Sequence, residues 1–166
     1  RMLVTKARIQ PAEDVLILGA GAGVGTACIR IAKLCGARVW AAAGTEEKLA
    51  KAKAIGADVL INYAQTDFAK KVRELTGKRG VDVVVDYIGK ETWNKSLLAL
   101  RRGGRLVTCG ATTGFDAATD LRHIFFRQLT ILGSTMGTRG ALAREEDPDH
   151  SRAHGFGRGS LSESRK

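Results

Sequence analysis

The sequence predicts an α/β protein built on a doubly wound, six-stranded parallel sheet. Three observations predict it. Short apolar strands alternate regularly with helical segments from residue 15 to residue 132. One run, Val81 to Asp86 (VDVVVD), is β-branched, the pattern of a strand buried on both faces. Another, Val15 to Leu18, passes straight into a turn with glycine at 19, 21, 23 and 25 and then into a helix.

Taken in order, strand one is Val15 to Leu18, and the helix after the glycine turn offers Ala27, Cys28, Ile31, Ala32 and Cys35 as its apolar face. Strand two is Arg38 to Ala42. Thr45 starts the next helix, with Glu46 and Glu47 in the first turn, where the helix dipole favours acids. Its Leu49, Ala52 and Ile55 face inward, and Gly56 ends it as a left-handed cap. Strand three is Asp58 to Ile61. Thr66 and Asp67 open a helix with Phe68, Val72 and Leu75 on one face, stopped by Gly77. Strand four is Val81 to Asp86, followed by a helix from Glu91 to Leu100 with Trp93, Leu97 and Leu100 inside. Gly103 and Gly104 turn the chain into strand five, Arg105 to Cys109. A short helix, Asp120 to Arg127, leads to strand six, Leu129 to Leu132.

Crossover helices between strands make the sheet parallel, and the order 3-2-1-4-5-6 follows by analogy with nucleotide-binding sheets. Ligands then sit beyond the carboxyl ends of the strands, near the switch between strands one and four. Those ends carry Gly19 to Gly25, Ala43 to Thr45, Asp86 to Gly89, Cys109 to Thr113 and Gly133 to Thr135.

Composition bounds the function classes. A chain of 166 residues with 44% hydrophobic content supports one sizeable core. No run of 18 apolar residues occurs, which excludes a helical membrane span, and the first residues show no secretory h-region. Arg1 ahead of Met2 reads as the start of a fragment or of an assigned reading frame. Cys28, Cys35 and Cys109 are odd in number and lack C-x-x-C spacing. They are expected to be buried free thiols in a reducing cytoplasm. A net charge of +10 favours anionic partners. The basic residues are scattered over helices, which reads as solvated faces rather than a nucleic-acid platform. After about Arg139 the chain becomes polar and aperiodic. The expected division is therefore a domain at 1–140 and a disordered tail at 141–166. His150 and His154 are four apart, but Asp-Pro-Asp before them and Gly-Phe-Gly after them argue against a metal-binding helix.

A strand, a glycine-rich turn and a helix N-terminus hold a nucleotide diphosphate well. Glycine permits close backbone approach, and the first helical amides are free donors with a partial positive charge. The strict G-x-G-x-x-G spacing is not met. Ending it at Gly25 meets Ala20 and Ala22, and starting it at Gly19 meets Val24. Nucleotide binders that take NAD place an acid at the end of strand two, where this chain has Ala43, Gly44 and Thr45. That absence permits NADP and argues against S-adenosylmethionine, so a methyltransferase is a remote alternative. Asp86 is expected to cap a loop or line the cleft, and His123 to be structural. No catalytic or metal-ligating set stands out.

The segments VLILGAGAGVGTACIRIAKLCGARV, GTEEKL, AIGADVLINY, LTGKRGVDVVVDYIG, LRRGGRLVTCGATTG and LTILGSTMG, in this order, resemble the cofactor domain of the medium-chain dehydrogenases/reductases. They look most like the NADPH quinone oxidoreductases and related zinc-type alcohol dehydrogenases. The resemblance covers roughly residues 2–138. It implies a Rossmann domain of an oxidoreductase that moves hydride between a nicotinamide and a quinone, enone, alcohol or carbonyl. The implied NADP site comprises Gly21, Ala22, Gly23, Val24 and Gly25 in the turn, and Thr45, Lys48 and Tyr63 near the 2′-phosphate. Gly89 follows strand four. Cys109, Gly110, Ala111 and Thr112, with Gly133 and Ser134, stand where the nicotinamide carboxamide would bind. Family members carry a separate catalytic domain that supplies most of the substrate pocket and the zinc ligands. This chain is therefore expected to bind no zinc and to turn over no substrate alone. The family also pairs strand six across a twofold axis. Leu129 to Leu132 carries no lysine, proline or inward charge to blunt an edge, so a homodimer through it is expected. A non-catalytic nucleotide- or RNA-binding module is the alternative.

Overall fold

The computed structural model describes residues 1–135, so the expected tail at 141–166 lies outside the described residues. Six strands form one parallel sheet in the order β3-β2-β1-β4-β5-β6. They are β1 (Asp14–Leu18), β2 (Arg38–Ala43), β3 (Val59–Asn62), β4 (Val81–Val85), β5 (Leu100–Thr108) and β6 (Thr130–Gly133). The helices are α1 (Gly23–Leu34), α2 (Glu46–Ala54), α3 (Phe68–Leu75), α4 (Trp93–Ala99) and α5 (Leu121–Arg127). The predicted strand order is the observed one. Val83, Val84 and Val85 of β4 pair with β1 on one side and β5 on the other, and all three are fully buried.

Alternation along the strands sends side chains to two cores. On one face Val15, Ile17, Val39, Val83 and Val107 pack with Ile29 and Ala32 of α1 and Ala52 of α2. On the other, Leu16, Leu18, Trp40, Val84 and Leu106 pack with Phe68 and Val72 of α3 and Leu97 of α4. The caps read from sequence are present. Thr45 Oγ1 accepts from the Lys48 amide, Asp67 from the Ala69 and Lys70 amides, and Asp120 from the Arg122 amide. Gly56 and Gly77 end their helices at positive φ.

Several local expectations need correction. Ala27 is exposed, and Ile29 takes the buried position, because the phase of α1 turns 25, 28, 29 and 32 toward the sheet. Leu75 is 47% exposed. In that last turn the inward place falls to Thr76, whose hydroxyl donates to the Val72 carbonyl at 2.8 Å. Gly103 and Gly104 do not precede β5 but lie in a bulge within it, where pairing with β4 shifts between Val81–Leu100 and Val83–Arg105. Cys109 lies just past β5 and is exposed, while Cys28 and Cys35 are buried as expected. Ahead of β1, Met2–Ala7 form a short π-type helix, not expected from the sequence, that buries Leu3 and Ala7 in the first core.

The amino ends of the strands carry a polar cluster, opposite the ligand-bearing ends. The Asp82 carboxylate is nearly inaccessible and accepts from the Asp14 amide (2.9 Å), Arg79 (2.7 Å) and Arg101. Burial alone would raise its pKa, but Arg101, the Asp14 amide and Arg79 hold it below the usual carboxylate range. Asp14 in turn accepts from Trp40 Nε1 at 2.8 Å. This cluster staples β1, β2, β4 and β5 at one end and leaves the other end free for a site.

Candidate functional site

The site begins where β1 ends, at the centre of the sheet between β2 and β4. Gly19 leaves the strand at φ +65°, a conformation that favours glycine. The turn is closed by the Ala22 amide on the Gly19 carbonyl (2.9 Å) and tied to β2 by the Ala20 amide on the Ala42 carbonyl (3.0 Å). Ala22 is the N-cap of α1 and offers no side-chain cap. The first bond along the helix runs from the Thr26 amide to the Ala22 carbonyl. The Gly23 and Val24 amides thus have no acceptor within the helix. No acid lies in that first turn. An anion fits there.

The glycines divide by role. A Cβ on Gly25 would lie 2.5 Å from the Gly19 carbonyl oxygen and 2.8 Å from Ala20 Cα, so glycine is needed for α1 to pack against β1. A Cβ on Gly23 would meet nothing within 4 Å. That space is open to a ligand.

Across the turn, Lys48 of α2 lays its aliphatic stem over Gly21, where a Cβ would sit 2.6 Å from Lys48 Cγ. The Tyr63 ring stacks against Gly44 in the same way, 3.2 Å from a Cβ there. Gly44, Thr45, Lys48 and Tyr63 therefore gather at the ends of β2 and β3. Glu46, in the first turn of α2, accepts from Asn62 Nδ2 at 2.6 Å.

Two open clefts lie over the carboxyl ends. The first, about 560 Å³, is bordered by Gly19, Gly21, Ala22, Lys48, Tyr63 and Thr112, among others. The second, about 390 Å³, is bordered by Gly89, Cys109, Gly110, Ala111, Gly133 and Ser134, together with Trp93 and Phe115. Both volumes fall within the ~300–1,000 Å³ usual for cofactor sites. The sites expected from sequence are thus brought into two neighbouring clefts, with Gly23 and Val24 exposed at the helix start, Gly25 buried behind them and Thr45 capping α2.

The wall between the clefts is two loops zipped together. The Lys90 amide donates to the Gly114 carbonyl (3.0 Å), the Thr113 amide to the Ile88 carbonyl (2.8 Å) and the Thr112 amide to the Tyr87 carbonyl (3.3 Å). Gly89 must be glycine here: its φ is +96°, and a Cβ would lie 2.6 Å from the Gly114 oxygen. Beneath the wall is Asp86, 1% exposed. Its carboxylate accepts from the Ile88 amide (2.9 Å), the Gly89 amide (3.1 Å), Thr92 Oγ1 (2.9 Å) and Ser96 Oγ (2.6 Å). It caps the loop and presents no free oxygen to either cleft.

Sequence reasoning missed Tyr87. It is the residue after Asp86, within the strand-four end already marked, but nothing in its spacing distinguishes it. Its ring borders the first cleft, and its hydroxyl donates to the Gly19 carbonyl at 2.7 Å. Burial first, and then Cys28, push the Tyr87 hydroxyl up to about 12, so it stays a donor at neutral pH. Burial likewise pushes the Cys28 thiol up to about 11 and raises that of Cys109. Neither is a thiolate nucleophile near neutrality. Among the described residues no group of three or more His, Cys, Asp or Glu side chains is placed to hold a metal. No helix among them is long and apolar enough to cross a membrane.

The parallel sheet, its order and the glycine turn at the switch point define a Rossmann-type domain. The chain belongs to the zinc-binding dehydrogenase family, whose family model matches residues 23–147. This is the medium-chain dehydrogenase/reductase assignment implied by the motifs. It is 41% identical over 135 residues to a 2-haloacrylate reductase of Burkholderia, covering 81% of this chain and 39% of that protein. Among solved structures it is similar to an NAD-dependent alcohol dehydrogenase (44% identity, TM-score 0.80, 92% of this chain and 43% of that one). It is also similar to the Escherichia coli quinone oxidoreductase complexed with NADPH (30% identity, TM-score 0.76, 92% and 48%). The chain spans less than half the length of these relatives.

Proposed function

We propose that this chain is the NADP(H)-binding domain of an oxidoreductase that exchanges hydride between the nicotinamide and a quinone, enone or carbonyl compound. The observation that carries this reading is the arrangement around the glycine turn: free amides at the start of α1, a cation at Lys48, and Ala43, Gly44 and Thr45 in place of an acid where β2 ends. The residues fit the cofactor. The Gly21–Gly25 turn would take the diphosphate, with Gly23 leaving room for it. Thr45, Lys48 and Tyr63 would hold the 2′-phosphate. Gly89, Cys109 to Thr112, Gly133 and Ser134 would border the nicotinamide end. When bound, the cofactor supplies the hydride; the protein holds and orients it. The acceptor class rests on the relatives, which include a haloacrylate reductase and quinone oxidoreductases.

NADPH is expected to bind at least ~10-fold tighter than NADH, about 1.4 kcal/mol, a modest demand for one phosphate and one lysine. Lys48→Ala is expected to erase that preference. Fluorescence titration with both cofactors reads it. Equal affinities in the wild type defeat the NADPH preference; tighter NADH binding would favour NAD, the cofactor named for the related alcohol dehydrogenase.

We also propose a homodimer through β6. Ile131 is 37% exposed on this last strand, which pairs on one side with β5. Both strands of a twofold pair would meet there, so one substitution acts twice. Ile131→Lys is expected to turn a dimer into a monomer in light scattering; a wild type that is monomeric at high micromolar concentration refutes the dimer. With all three cysteines free, a reducing compartment such as the cytoplasm suits the protein.

A further inference from the structure

The glycine turn has an internal difficulty. With glycine at 19, 21, 23 and 25 its backbone loses more freedom on folding than any ordinary turn, and it has no side-chain cap of its own. Something outside it must hold it in the shape that aims the α1 amides at a ligand. Among the described residues, one side chain does so by hydrogen bonding. The Tyr87 hydroxyl, delivered from the end of β4, donates to the Gly19 carbonyl at 2.7 Å. The Tyr87 hydroxyl oxygen lies 2.8 Å from a Cβ built on Gly19 and 2.9 Å from one built on Gly25. One hydroxyl therefore touches both ends of the turn, the exit of the strand and the first turn of the helix. Tyr87 is 9% exposed, and its ring forms part of the first cleft beside Gly19, Gly21 and Ala22.

From this geometry we infer that Tyr87 is a positioning residue for the diphosphate cradle: it pins the Gly19 carbonyl and so fixes the direction of the Gly23 and Val24 amides before a ligand arrives. The inference rests on the NADP(H) reading above. Pre-ordering lowers the entropy lost on binding, and only groups that use the ordered amides gain from it. A ligand that reaches Lys48 and Tyr63 but carries no diphosphate should not sense the strut.

That difference supplies the test. The purified chain and its Tyr87→Phe variant are titrated with NADPH and with 2′-AMP, which keeps the adenine and the 2′-phosphate without the diphosphate. Losing one hydrogen bond is expected to weaken NADPH about five-fold in Tyr87→Phe, while 2′-AMP stays within about two-fold. In Tyr87→His the ring N–H falls well short of the position of the Tyr87 hydroxyl oxygen, so that variant is expected to lose NADPH affinity as Phe does. It also serves if the Phe variant does not fold. Equal losses for both ligands make Tyr87 a general packing residue and overturn the inference. So does NADPH binding in both variants that matches the wild type. A wild type that binds no NADPH overturns the cofactor reading, and this inference with it, before any variant is compared.

Discussion

Asp86→Ala is expected to lower the unfolding free energy by about 3 kcal/mol, roughly a 10 °C fall in the thermal midpoint of a domain this size. The carboxylate is 1% exposed and faces no cation within salt-bridge range among the described residues. Its charge is compensated by donors alone: two backbone amides, from Ile88 and Gly89, and the hydroxyls of Thr92 and Ser96. Truncation leaves these donors facing a void. Each buried donor without a partner costs about 1–3 kcal/mol, and the two hydroxyls can rotate to recover part of it. Asp86→Asn keeps one acceptor and most of the volume, so about half the loss is expected. Because Asp86 shapes the loop that separates the clefts, Asp86→Ala is also expected to weaken NADPH. Thermal unfolding of the two variants is the measurement, and a midpoint unchanged in Asp86→Ala would falsify this role.

Gly25→Ala and Gly23→Ala are expected to fail in different ways. At Gly25 the added methyl meets backbone, the Gly19 oxygen at 2.5 Å and Ala20 Cα at 2.8 Å, besides the Tyr87 hydroxyl. The first two are backbone and cannot swing aside, so α1 must shift away from β1. Overpacking of this kind costs about 1–3 kcal/mol, and the shifted helix carries the anion-binding amides with it. Loss of both stability and NADPH binding is expected. At Gly23 the methyl meets nothing within 4 Å, in a helical conformation where alanine is favoured by up to about 1 kcal/mol. That variant is expected to be at least as stable as wild type. Its methyl, however, occupies the space beside the free amides, and NADPH affinity is expected to fall several-fold. Unfolding and titration on the same two proteins separate packing from ligand approach. If Gly23→Ala binds NADPH like wild type, the open space at Gly23 is not where the diphosphate lies.

Much of this fold was legible because the signals were local. The β-branched run of Val81 to Val85 marked a central strand, and side-chain oxygens at Thr45, Asp67 and Asp120 marked helix starts that the structure reproduces. The helical phase was less secure. In α1 small and branched residues surround the helix, so the choice between Ala27 and Ile29 depends on the angle at which α1 docks. In α3 the inward stripe reaches Thr76 rather than Leu75 for the same reason. Glycines at 103 and 104 signal a break in a strand, but whether the break falls before β5 or inside it depends on its register against β4.

The chain's residue order is enough to specify the alternation of elements, the strand order around a central β-branched strand and the glycine turn at the switch point. Each depends on side-chain pattern or backbone permission within a few neighbouring residues. Contacts across long separations lie beyond such reading. Tyr87 meets Gly19, and Asp82 collects Arg101 and the Asp14 amide. These pairings exist because a parallel sheet lays β1 beside β4 and β4 beside β5. The charge that each buried carboxylate needs is then met by whatever donors the neighbouring loops present. The glycine turn is written in the sequence; the tyrosine that holds it in shape is placed by the packing of strands 68 residues apart.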